Sequence, residues 1–126
     1  MKKIIFTEKA PAPIGPYNQA VLAGNTIYVS GQIPLNPESG ELVLSSIEVQ
    51  TKQVMENLKA ILNEANMTFD NVVKATIFIT DMNDFSKINT VYGGYFSEAN
   101  APARETVQVS RLPKDVNIEI SVIAIK

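Results

Sequence analysis

From Val116 to Ile125 the chain reads Val-Asn-Ile-Glu-Ile-Ser-Val-Ile-Ala-Ile. By the period of two this puts Val116, Ile118, Ile120, Val122 and Ala124 on one side and Asn117, Glu119 and Ser121 on the other. Such a run is a strand whose first side must be covered by a core. The second side is the stronger constraint, because it carries a carboxylate at mid-strand and then turns apolar at Ile123 and Ile125. It is too polar for a monomer core and too apolar to face only water. Two readings of Glu119 stand. If a partner chain covers it, its charged form is disfavoured and its pKa rises toward the range useful for proton transfer. Alternatively it is half of a structural salt bridge with Arg104 or a lysine.

Upstream, Pro102 disfavours helix at Ala101, and Thr106 to Ser110 alternates, so Arg104 is expected at the mouth of a strand. Leu112-Pro113-Lys114-Asp115 turns that strand into the last one. Nearer the N-terminus, Ile4 to Phe6 is a short strand, and the proline-rich segment Ala10–Pro16 is an extended loop. Tyr17–Ala23 and Thr26–Ser30 form a hairpin about Gly24-Asn25. Gly31 either admits a ligand or a second backbone at close range or marks a β-bulge.

Two helices are predicted. Ser45 with Glu48 makes a capping-box pattern, after which Ile47, Thr51, Val54, Leu58, Ile61, Leu62 and Ala65 form one buried stripe. Val72–Thr80 is a long strand with Val73, Ala75, Ile77 and Ile79 on one face and Lys74, Thr76, Phe78 and Thr80 on the other. A second helix, capped by Asp81 or Asn83, carries Phe85, Ile88, Val91, Tyr92, Tyr95 and Phe96 and ends before Pro102. Gly93-Gly94 inside it is explained by close packing against the sheet. Asn89, just off the stripe, is either a solvated boundary residue or a pocket-lining amide. The order implies a single α+β domain over residues 1–126, a mixed sheet with two helices on one face. The unsatisfied opposite face calls for a homo-oligomer with polar clefts between subunits.

Composition narrows the chemistry. With 126 residues, 45% of them hydrophobic, one domain with a real core is affordable and a second is not. A net charge of -2 with scattered lysines and arginines lacks the footprint of a nucleic-acid binder. No apolar run approaches the roughly 20 residues of a membrane helix, so a soluble, cytoplasmic protein is expected. With no cysteine and no histidine, thiolate nucleophiles, Cys/His zinc sites and Ser-His-Asp triads cannot be built. No phosphate-binding glycine motif occurs. Catalysis, if present, is expected to use no metal and no cofactor.

Gly15-Pro16-Tyr17, Ser30-Gly31-Gln32-Ile33-Pro34, Asn89 with Val91-Tyr92, Pro102-Ala103-Arg104, Leu112-Pro113 and Val116–Ile125 together resemble the RidA/YjgF family, in order and nearly end to end. The resemblance implies a chorismate-mutase-like fold, a homotrimer with clefts at subunit interfaces, and hydrolysis of 2-aminoacrylate/2-iminopropanoate and 2-iminobutanoate to 2-oxo acids and ammonia. These imines are released by pyridoxal-phosphate enzymes, a cofactor this chain would not itself need. The resemblance also assigns roles. Arg104 holds the substrate carboxylate, a task its guanidinium fork suits, and Glu119 is the general acid/base. Tyr17 closes the cleft, Ser30 and Asn89 supply hydrogen bonds, and the Gly31 backbone approaches the ligand. Many relatives carry cysteine where this chain has Thr106, a further pocket position, so a thiol cannot be essential here. Competing functions are a non-catalytic 2-oxo acid binding regulator, a ribonuclease or translation inhibitor, which the acidic balance disfavours, and a chaperone-like activity.

Overall fold

The computed structural model describes residues 1–126. Its elements run β1 (Lys2–Ile5), β2 (Ala20–Ala23), β3 (Thr26–Gln32), α1 (Ile47–Glu64), β4 (Val72–Ile79), α2 (Phe85–Gly93), β5 (Ala103–Gln108) and β6 (Ile118–Ile125). The strands form one mixed sheet in the order β1-β2-β3-β6-β4-β5. Pairing is antiparallel except between β4 and β5, which α2 links as parallel neighbours. The α+β class, the element order and the two helices agree with the expectation from sequence.

The core lies between the sheet and the helices. Ile118, Ile120, Val122 and Ala124 of β6 are buried, as the alternation requires, and meet Ala75, Ile77 and Ile79 of β4. The α1 stripe of Val54, Leu58, Ile61 and Leu62 is fully buried in the same cluster. Each such side chain contributes about 1.5–3 kcal/mol on leaving water, which outweighs the modest intrinsic preferences of either helix.

Several boundaries differ from expectation for local reasons. The α1 cap is Ser46, whose hydroxyl accepts from the Val49 amide at 3.2 Å, so the Ser45/Glu48 pairing is one residue out of register. Asp81 caps the single turn that leads into α2, accepting from Asn83 N. Gly93 and Gly94 end α2 rather than lying inside it. A Cβ on Gly93 would meet nothing within 4 Å, so close packing does not explain that glycine. Pairing of β4 with β6 slips between Val72 and Lys74, a bulge that buries Val72 and leaves Val73 44% exposed. Strand β5 begins at Ala103, three residues ahead of the alternation at Thr106, with Arg104 as its second residue and so at the mouth of the strand, as expected.

The hairpin's first strand begins at Ala20, not Tyr17. Gln19 is the reason, and it carries no signal in the sequence. It is 1% exposed; its carbonyl accepts from Thr7 N at 2.8 Å, and its amide donates to Thr7 O, Ala10 O and Pro11 O. One side chain thus substitutes for the ladder that the prolines cannot make. Gln19→Leu leaves these groups unpaired at about 1–3 kcal/mol each. A loss of about 3 kcal/mol is expected from the urea midpoint, with the loop bearing Tyr17 released.

On the face away from the helices, Ile4, Val21, Tyr28 and Ile123 lie side by side across β1, β2, β3 and β6. Ile4 is 44% and Tyr28 51% exposed. No helix is long and apolar enough to cross a membrane.

Candidate active site

The open face of the sheet holds a cleft of about 340 Å³ lined by Ile14, Tyr17, Ser30, Gly31, Ile33, Pro113 and Glu119. Its shape comes from a β-bulge. Val29 pairs with Val122 but the next pair is Gln32 with Ile120, so β3 carries one extra residue at Ser30-Gly31. The bulge sets Gly31 directly over Glu119. A Cβ on Gly31 would lie 2.7 Å from Glu119 Cδ and Oε2. The β-bulge reading of Gly31 holds, and what comes close to it is the carboxylate of Glu119 rather than a ligand or a second backbone. Gly31→Ala has to push this flexible side chain aside. The expected result is a folded protein of near-native stability with the carboxylate displaced and turnover reduced about 100-fold, since misplacement by about 1 Å costs that much.

Glu119 has no salt-bridge partner. The ion pairs are Lys74–Glu105 and the exposed Arg111–Asp115, so the reading of Glu119 as half of a structural pair fails. Half-buried without a counter-charge, its carboxyl is pushed above the usual carboxylate range by desolvation. Around it, Ser30 Oγ donates to Asn18 O at 2.6 Å and Tyr17 Oη accepts from Ile14 N at 3.3 Å. The Ser30 proton is thus engaged, leaving its oxygen as an acceptor. Pro113 begins the turn to β6, where Lys114 and Asp115 both adopt left-handed backbone with φ of 57° and 58°. The Arg111–Asp115 pair braces that costly conformation.

Arg104 lies elsewhere. In the parallel register it is level with Ala75, and Thr106 with Ile77, so both project toward the helices, whereas Glu119, level with Phe78, projects from the opposite face. Its guanidinium carbon sits 5.0 Å from the Tyr92 ring centre and 5.7 Å from that of Phe85. Asn89 falls between these two rings by helical spacing and is half-buried. The Thr106 hydroxyl is buried without a hydrogen-bond partner. One chain therefore assembles the candidates as two half-sites: Tyr17, Ser30, Gly31 and Glu119 on the open face, and Arg104, Thr106 and Asn89 around α2. The ring partners of Arg104 were not picked out from sequence, although the Phe85, Asn89, Tyr92 spacing was there to be read.

A larger groove of about 580 Å³ follows α1 past Lys9, Glu38, Glu56 and Asn63. Its mixed charges, with Ala60 the one hydrophobic residue in its lining, fit a solvated helix flank. No three Asp or Glu side chains converge as metal ligands would.

The endoribonuclease L-PSP family model matches residues 7–126. A RutC family protein of Pyrococcus abyssi is 58% identical over 125 residues, covering 99% of this chain and 98% of its own length. The 2-iminobutanoate/2-iminopropanoate deaminase of Escherichia coli is 50% identical over 128 residues, covering 100% and 99%. A Rid family protein of unknown function from Yersinia pestis superposes with a TM-score of 0.97 at 49% identity, both chains covered completely. With matching fold, end-to-end coverage and high identity, this chain belongs to the endoribonuclease L-PSP family, the group of the RutC and Rid proteins.

Proposed function

We propose that the protein is a deaminase of small 2-imino acids, working in clefts shared between the subunits of a homotrimer. The observation that carries this reading is the separation of Arg104 and Glu119 on opposite faces of one sheet, each without an ion-pair partner. A second subunit can bring one chain's α2–β5 edge to its neighbour's Glu119 cleft. The exposed Ile4 and Tyr28, with the half-buried Ile123 beside them, supply an apolar surface for such contact, and three-fold closure satisfies every copy alike.

In that cleft Arg104 grips the substrate carboxylate bidentately and sets the imine carbon beside Glu119. Water adds to this carbon while Glu119 takes its proton and passes one to the nitrogen, giving a carbinolamine. Glu119 then takes the hydroxyl proton and delivers it to nitrogen as the carbon–nitrogen bond breaks, releasing a 2-oxo acid and ammonia. A carboxyl with a raised pKa is suited to both directions of transfer. Tyr17 covers the cleft, Asn89 and Thr106 offer polar contacts, and the Gly31 backbone leaves room for the ligand. Thr106 stands where many relatives have cysteine, so no step passes through sulfur.

The test generates 2-iminobutanoate or 2-aminoacrylate in situ with a threonine or serine dehydratase and follows oxo-acid release. Acceleration by the protein is expected. Binding of a 2-oxo acid with no acceleration would replace the enzyme by the carboxylate-binding regulator, and salt-dependent RNA binding would point to the ribonuclease reading.

A further inference from the structure

The geometry points to Tyr92 and Phe85 as positioning residues: their ring faces hold the Arg104 guanidinium in place while leaving its N–H donors free for a carboxylate. Within its own chain Arg104 has no carboxylate neighbour to hold it. The adjacent Glu105 is drawn to the other side of β5, where Lys74 Nζ meets it at 2.8 Å. What Arg104 has instead are two rings, at 5.0 Å and 5.7 Å. The difference in chemistry matters. An acidic partner would consume the fork and compete with an incoming carboxylate, whereas a π face attracts the cation through its quadrupole and takes up no N–H.

The holder is itself fixed. Tyr92 is 6% exposed and packs on Phe96 at 4.8 Å, which packs edge-on against Phe69 at 5.2 Å. Its hydroxyl is buried and bonds to nothing, so the ring, not the hydroxyl, is what the surroundings use. A flexible arginine pre-aimed in this way loses less freedom when a ligand binds.

This inference rests on the deaminase reading for its kinetic consequence but not for its structural one, and the experiment separates the two. Nitrogen relaxation at Arg104 Nε is recorded in ligand-free wild type, Phe85→Leu, Tyr92→Leu and Tyr92→Phe, alongside KM and kcat in the dehydratase-coupled assay. Phe85 is 39% exposed, so Phe85→Leu keeps its fold even if Tyr92→Leu does not. The leucine variants are expected to mobilise Arg104 and raise KM about tenfold, the size of a partly desolvated cation–π contact, with the acid limb set by Glu119 unmoved. Tyr92→Phe is expected to restore both order and KM. Unchanged Arg104 order in both leucine variants would overturn the proposal, as would a Tyr92→Phe protein as impaired as Tyr92→Leu. Ordered Arg104 in a wild type without turnover would sink the deaminase reading and leave the ring-held arginine standing.

Discussion

Arg104→Ala is expected to release 2-oxo acid from an imine-generating mixture no faster than buffer does, while remaining folded and assembled. The loss is expected to be large because, in the proposed reaction, the guanidinium would make two charge-assisted hydrogen bonds to the substrate carboxylate and so place the reacting carbon. Losing a desolvated pair of this kind costs about 2–5 kcal/mol, roughly 30- to 5,000-fold in rate. The fold survives because Arg104 forms no ion pair, so its removal strands no buried charge. Arg104→Lys keeps the charge without the fork and should recover only a small part of the rate. Circular dichroism and sedimentation check the fold and assembly. An assembled Arg104→Ala protein with wild-type turnover would refute the assigned role.

Glu119→Gln is expected to lower kcat on the order of 10²- to 10⁴-fold, the usual contribution of a positioned acid/base, while leaving the protein no less stable at neutral pH. The sign follows from the direction of its pKa. Desolvation raises the folded pKa above the ordinary value. Between the two the folded state binds more protons than the unfolded one, so the burial penalty is relieved as pH falls through that window. Wild type should therefore gain stability on mild acidification, and Glu119→Gln should lack that gain. The exposed Asp115 acts oppositely and lower on the scale: paired with Arg111, its carboxyl is held below the ordinary value, so its contribution fades only on stronger acidification. Activity should run the other way from stability, with kcat/KM falling on the acid side as the base is protonated. Thermal midpoints and rate profiles of both proteins across that window provide the check.

The two variants together probe the sharing of sites. If each cleft takes Arg104 from one subunit and Glu119 from its neighbour, refolding Arg104→Ala with Glu119→Gln creates intact clefts from two inactive proteins. Random assortment makes roughly one cleft in four intact. No recovery in mixed assemblies would overturn the shared-cleft proposal that the opposed directions of the two side chains support.

Much of this protein was legible in its sequence because period and punctuation are local properties. The alternation of β6, the stripe of α1 and the Gly24-Asn25 turn follow from side-chain direction and backbone sterics alone, and they recur in the structure with shifts of a few residues. Those shifts have tertiary causes. Gln19 delays the start of β2 by bonding a loop whose three prolines, Pro11, Pro13 and Pro16, leave it short of backbone donors, and the bulge at Val73 inverts a face assignment that strict alternation would have made.

The polar residues of the candidate site were also named from the sequence, most of them through the family resemblance, but their apolar neighbours and their arrangement were not. A period of two says that Glu119 faces away from the core; it does not say which side of a neighbouring strand Arg104 takes. That depends on the parallel register of β5 with β4, which pairs Arg104 with Ala75. Nor could spacing show that Gly31 lies over the Glu119 carboxylate, because the contact joins residues far apart in the chain through a bulge. The sequence by itself determined most of the secondary elements, the apolar faces and the presence of a carboxylate at mid-strand and an arginine two residues after Pro102. Only the tertiary structure decided that these lie on opposite faces of one sheet, since register and bulges are set by long-range packing of the whole core rather than by any local run of residues.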